Sequence, residues 1–303
     1  MTQTRSRTAP ASGKRRTPTT RATPTVMRRR VGGQLRLWRG DIPSGTAAKL
    51  MGWDSVKLGR IERGLYKISY DEVREYVPKL GVDDETGIDA VALAAEEPIG
   101  GGWWKPYEND ISPALLDFVQ LENRARTVRL QHRSIVPGPL QTPAYVREII
   151  TRGPNAIDPN VVEMLVAVRL ARQEILTRTD KPVRLHAVVP ESAFHAVFES
   201  GPAIMRDQLR KLIDLSELPH ITIQILPLTL HPAYGSNGAS TILTFDHPWA
   251  PVASVDNAMG GTHSEDPKAV SYLEAEFKGI ASAALSVGKT RELLTEYLEG
   301  TTK

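Results

Sequence analysis

The sequence predicts a small all-α domain of about five short helices, followed by an α+β domain. Three observations predict it. Apolar residues recur at helical spacing from Met27 to about Glu96, and glycines or capping residues interrupt them. Beyond residue 103, helical patterns mix with strand-like runs that keep no steady βαβ rhythm. Between the two lies Pro98 through Gly102, part of a linker read over residues 97–102.

The first helix is read in "MRRRVGGQLRLWRG", where Val31, Leu35 and Trp38 fall on one face. In "DIPSGTAAKLMGWD", Ser44 is placed as N-cap of a short helix carrying Ala47, Ala48, Leu50 and Met51, which Gly52 stops. Asp54 caps the third helix, Ser55 to Arg63, and Gly64 ends it. "SYDEVREYVPKLG" supplies a fourth with Val73, Tyr76, Val77 and Leu80 apolar, and "DAVALAAEE" a fifth. In the second domain, residues 103–299, helices are expected at 112–121, 143–152, 159–178, 190–199, 202–217, 265–285 and 288–299. Strands are expected at "TVRLQH", "VRLHAVV", "ITIQILPL", "STILTF" and "VASVD".

Composition narrows the function. The 303 residues are 41% apolar and 24% charged, as in soluble globular proteins, and no run approaches the roughly 18–20 apolar residues of a membrane helix. With no cysteine, disulfides and Cys-based zinc or iron–sulfur sites are excluded and a cytoplasmic home is expected. H-E-x-x-H, G-x-G-x-x-G and the P-loop are absent, so neither metal nor cofactor is expected. The net charge of +3 is unevenly spread. The first 84 residues hold 18 bases and 8 acids, a balance of +10; the remainder holds 20 bases and 27 acids, a balance of −7. Residues 1–26 are acid-free, rich in Arg, Thr and Pro, and lack apolar periodicity. They are read as a disordered basic arm, or as an overlong start ahead of Met27. Such asymmetry points to a polyanionic partner.

The stretch "SVKLGRIERG" gives that partner a form. Two helices crossing at a tight turn need a small residue at their contact, a Gly-like residue in the turn and an apolar inner face on the second helix. Ala48, Gly52, and Leu58 with Ile61 meet those needs. The outward face then carries Ser55, Val56, Lys57, Gly59, Arg60 and Arg63, suited to base edges and phosphates in the major groove of double-stranded DNA. Arg60 can take guanine bidentately, Ser55 a base or a phosphate, and Val56 a thymine methyl. Glu62 is read as a helix-end or inter-helix ion-pair partner, and Trp53 as a core anchor.

"GRIERG" at 59–64 resembles the signature end of the Cro/cI-like (XRE) helix-turn-helix family. The resemblance implies base-reading positions at Ser55, Val56 and Arg60 and a structural Glu62. Ser44 stands where the family often has a phosphate-clamping Gln, and Gly59 where it usually has a polar residue. Further on, "IVPGPLQTPAYVREI", "LARQEILTR" and "MRDQLRKLIDLSELPHITIQILPL", with the strand pair before "EDPKAVSYLEAEF", are similar to the second domain of actinobacterial WhiJ-like regulators. Pro139 replaces the first Leu of that family's P-G-L-L-Q-T. The resemblance implies a transcriptional regulator with a domain of unknown function behind its helix-turn-helix. It also implies an antitoxin-like relation to a small partner protein encoded nearby.

No enzyme is expected. "SVGK" at 286–289 has the S-x-x-K spacing of acylating serines but lacks its companion motifs, so Ser286 is read as a loop or cap residue. His263, Glu265 and Asp266 are read as a loop leading into a helix rather than a metal site, and His231 and His247 as turn residues beside prolines. Gln141, Arg169, Arg172 and Gln173 are polar groups on core segments, expected either in structural ion pairs or at a site for an anionic ligand or partner. The combined expectation is a dimeric, sequence-specific DNA-binding regulator, nucleoid-associated when bound. Its second domain would serve dimerisation and partner or ligand binding. The alternative is an antitoxin-like protein that sequesters a small partner and autoregulates its operon.

Overall fold

The computed structural model describes residues 25–96, 101–153, 158–230, 238–256 and 261–300. The basic arm up to residue 24, most of the expected linker and His231 lie outside them. A helical N-terminal region precedes a mixed α/β region, and no helix among the described residues is long and apolar enough to cross a membrane.

Local signals set the N-terminal helices. Thr25 caps α1 (Val26–Arg39), whose Val31 and Leu35 are buried. Then come α2 (Ser44–Lys49) and α3 (Ser55–Glu62). A reciprocal capping box between Ser69 and Glu72 opens α4 (Tyr70–Lys79), and α5 (Glu85–Glu96) follows. Leu35, Leu58, Tyr76, Ile88 and Val91 meet in one apolar cluster, and Trp249 from the far end of the chain packs against it.

The second region is built on a mixed sheet. Its strands are β1 (Thr127–Gln131), β2 (Arg184–Pro190), β3 (Ile221–Leu226), β4 (Ser240–Thr244), β5 (Val252–Val255) and β6 (Thr262–Ser264), in the order β3-β2-β1-β4-β5-β6. The first three run parallel, so chain must cross over between them. Between β1 and β2 it does so through α7 (Pro143–Thr151) and α8 (Pro159–Ala171), and between β2 and β3 through α9 (Ala203–Ser216). The last three form an antiparallel meander beside β1. Ahead of the sheet lies α6 (Pro113–Arg124), and α10 (Pro267–Ala283) and α11 (Val287–Gly300) close the chain.

Strand alternation sorts the two faces. Leu185, Ala187 and Val189 of β2 and Ile221, Ile223 and Ile225 of β3 join α9 and α11 in the larger core. Val188, Ile242 and Ala253 point the other way, against Val270, Leu273 and Phe277 of α10. Gln224, on that second face, donates to the carbonyls of Ala281 and Leu285 and ties α10 to the sheet.

Three expectations need correction. Pro43, not Ser44, is the N-cap of α2; Ser44 is already helical, and the cap makes no side-chain bond because the proline ring carries no acceptor, while its fixed φ suits the start of the helix. The helix expected at 190–199 is only a 3₁₀ turn, Glu191–His195, after which Ala196 is extended; the opened chain lets both Phe194 and Phe198 reach the core. The helix expected to run to residue 178 breaks at Ala171 into a 3₁₀ turn, Arg172–Leu176.

The two regions meet along α1. Arg29 forms an ion pair with Asp117 of α6. Arg30 is almost wholly buried, with Nε 2.9 Å from Glu265, an Nη donating to the Ala250 carbonyl at 2.6 Å, and its guanidinium 4.1 Å from the Phe245 ring. His247 and Asp84 add a 2.6 Å contact across the same boundary.

Candidate functional site

The α2–α3 unit is held from inside. Ala47 and Ala48 are fully buried where the helices touch. The turn closes with the Gly52 amide donating to the Lys49 carbonyl and the Trp53 amide to that of Ala48, and Gly52 takes φ +66°, a region glycine enters without penalty. Trp53 lies 5.6 Å from the Tyr76 ring, anchoring the turn in the core. The Asp54 carboxylate caps α3 by accepting from the Lys57 amide at 2.6 Å. Leu58 and Ile61 then sink into the cluster.

Helix α1 crosses the end of α3 at backbone contact. A side chain at Gly32 would collide with the carbonyls of Ile61 and Glu62, and one at Gly64 with the backbone of Arg28 and Arg29. Arg39 of α1 reaches Glu62 of α3, an inter-helix pair.

The opposite face of α3 is open. Ser55, Val56 and Arg63 are exposed, and a Cβ at Gly59 would meet none of the described residues within 4 Å. Arg60 is half-buried, donating to the Tyr66 hydroxyl with its guanidinium 5.0 Å from that ring, while Arg63 donates back to the Gly59 carbonyl at 2.8 Å. Tyr66 was not among the expected site residues, yet it stands beside Arg60 and is 46% exposed. The signal was an aromatic two residues past the helix-ending Gly64. Lys57 is turned elsewhere: its ammonium is 3.1 Å from Glu72 and 4.1 Å over the Trp53 ring, so it braces α3 on α4. Ser44 stands half-buried in the first turn of α2.

In the second region the expected polar groups do converge. Glu122 of α6, almost wholly buried, receives a two-pronged bond from Arg172 at 2.7 and 3.0 Å. Gln173 donates to the carbonyls of Gly138 and Gln141, and Lys211 of α9 bonds both the Gln141 carbonyl and the Gln173 side chain. Among the described residues Arg169 hydrogen-bonds the Gln141 side chain alone, at 3.4 Å. Burial, helped by the neighbouring Arg172, pushes the Arg169 guanidinium down to about 10. Arg169, Arg172 and Glu122 line a cavity of about 470 Å³ that also touches His132, Asp256 and His263. His263 is fixed by bonds to the Ser254 hydroxyl and the Ala114 carbonyl, both 2.9 Å, and stacks on Phe118. Asp266 caps α10, and the Ser286 hydroxyl accepts from the Lys289 amide at the start of α11. Among the described residues no group of three or more His, Asp or Glu side chains is placed to hold a metal.

Comparison with known proteins adds one result. No curated protein and no solved structure matches the chain. Residues 115–296, more than half of its length, match the model of a domain of unknown function, DUF5753, from within α6 into α11. The chain belongs to the DUF5753 family.

Proposed function

We propose that the protein is a sequence-specific DNA-binding transcriptional regulator that lays α3 in the major groove. The observation that carries this reading is the two-sidedness of α3. Leu58 and Ile61 fix it to the core, while Ser55, Val56, Gly59, Arg60 and Arg63 face outward with none of the described residues over Gly59. A helix held so, presenting its N-terminal turns, has the form of the second helix of a helix-turn-helix. The likeness to Cro/cI-type proteins supports the same role. A domain of unknown function behind it fits the WhiJ-like likeness.

Arg60, with Tyr66 steadying it, is the base reader, and Ser55 and Val56 are its neighbours on the edge of the groove. Exposed Arg63, Lys67 and Lys49 serve phosphate. Lys57 supports α3 from behind, and Ser44 sits where a phosphate can be held at the start of α2. Two copies reading paired half-sites supply affinity that one short helix lacks, so a homodimer is part of the proposal.

The test is capture of fragmented genomic DNA by the purified protein beside Arg60→Ala at physiological salt. Enrichment of a few sites sharing a motif, lost in the variant at a cost of about 1–3 kcal/mol, is expected. Flat, salt-sensitive capture by both proteins would overturn base reading and favour an antitoxin-like role with a small protein partner. Sedimentation showing a monomer both free and on DNA would remove the dimer.

A further inference from the structure

The cavity of about 470 Å³ in the DUF5753 region has the size of a small-molecule site. Much of its lining is apolar, including Leu115 and Phe118 of α6, Ile135, Ile149 of α7 and Leu165 of α8. Into this surface α8 and the turn after it bring two guanidinium groups three residues apart. They are not equivalent. Arg172 is matched by the Glu122 carboxylate through two bonds and lies against Phe118.

Among the described residues Arg169 has no such match. Its contact is the neutral Gln141 side-chain oxygen at 3.4 Å, the outer limit for a hydrogen bond. Gln141 is fully buried and cannot close the gap. Its amide is spent on the Val136 carbonyl at 2.6 Å, and its own carbonyl takes bonds from Gln173 and Lys211. Asp256, exposed and also lining the cavity, attracts both guanidinium groups without pairing with either. A guanidinium carries five N–H donors, so most of those of Arg169 remain for a ligand.

We propose that this cavity binds a small organic anion, a carboxylate on an apolar body, with the carboxylate on Arg169 and the body against Leu115, Phe118, Ile135, Ile149 and Leu165. A planar carboxylate matches the guanidinium fork. Glu122 is bonded to Arg172, so Arg169 is the guanidinium without a bonded carboxylate, and the nearby Asp256 opposes any further negative charge in the cavity. That favours a monoanion and disfavours a phosphate ester bearing two charges. The inference concerns the second region alone and does not depend on what α3 contacts.

The full-length protein, without DNA, is titrated by calorimetry with octanoate, 4-phenylbutyrate and indole-3-acetate, each beside its neutral amide. At least one acid is expected to bind about tenfold or more tightly than its amide, the margin of a charge-assisted contact. Arg169→Gln removes that preference, Arg169→Lys keeps part of it, and Ile135→Trp blocks acid and amide alike. A thermal melt of each variant establishes that it is folded. If no acid is preferred over its amide, or if folded Arg169→Gln keeps the preference, the proposal fails. Failure of DNA capture would leave the calorimetric result standing, and the reverse holds too.

Discussion

Arg39 and Glu62 meet side-on across α1 and α3, Nε donating to Oε1 at 2.6 Å and Nη2 to Oε2 at 3.2 Å. Both side chains are largely withdrawn from water, at 13% and 7% exposure, and Arg39 also donates to the Ile42 carbonyl. The pair fixes the angle at which α3 leaves the core, and hence where its outer face points. Glu62→Gln keeps the shape and removes the charge. It should lower stability by about 2–3 kcal/mol, between the worth of a charged hydrogen bond and the cost of breaking a buried pair. Urea unfolding measures this; a loss under about 0.5 kcal/mol would mean the pair behaves as a surface ion pair.

Neighbouring glycines in α1 should respond with opposite signs. At Gly32 a methyl group meets the carbonyls of Ile61 and Glu62, the latter at 2.6 Å, and backbone cannot swing aside as a side chain does. Gly32→Ala should destabilise by about 1–3 kcal/mol, the usual cost of overpacking. At Gly33 nothing lies within 4 Å, so Gly33→Ala should be neutral or stabilise by up to about 1 kcal/mol through helix propensity. Paired thermal melts compare them directly.

Gly59→Ala separates folding from recognition. A methyl there meets open space within a helix, and stability should rise by about 0.5–1 kcal/mol. If α3 approaches DNA through its backbone at this point, the same methyl should weaken specific binding. A fluorescence-anisotropy titration on the captured site would show it. Equal affinity for both proteins would remove Gly59 from the interface.

Acid should begin to destabilise the fold in the imidazole range. Burial is the main force holding His132 and His186 below the ordinary imidazole value of 6.5; Asp256 opposes it at His132, and a bond with Gln224 opposes it at His186. The unfolded chain therefore takes up protons near pH 6.5 that the folded chain refuses. This contribution is whole above that pH and is lost as pH falls below it. Asp84 acts lower down: the Gly87 amide and then His247 hold its carboxylate below 3.8, so its contribution fades only in stronger acid. Melting temperature should be level from about pH 8 to 7 and fall toward about pH 5, with a shallower fall in His186→Gln. An unchanged slope in that variant would exclude His186 as a source.

What could be read in advance followed the range of the forces involved. Asp54, Ser69, Thr142 and Asp266 cap their helices through bonds two or three residues away, so the starts of α3, α4, α7 and α10 were legible. Strands β1 to β5 announced themselves through β-branched and apolar runs, whereas β6, three residues of "THS", has no such pattern and exists by pairing with β5. The parallel pairing of β1, β2 and β3 was hidden because it joins distant segments. At the candidate interface, the inward and outward faces of α3 were visible in its spacing. The capture of Lys57 by Glu72 and the fate of Arg29 and Arg30 were not. Those two, counted beside the basic arm, find their acids at Asp117 and Glu265.

Helix α1 has Val26 and Met27 in the core of the sheet region and Val31 and Leu35 in the helical cluster, so one rod is mortised into both ends of the molecule. The two regions therefore share this helix. A fragment ending near residue 96 would strip Arg30 of its carboxylate and carbonyl, and one starting there would take the Arg30 guanidinium from Phe245 and Trp249. In a calorimeter the intact chain should melt in a single peak, and neither severed half should keep the melting temperature it has in the whole.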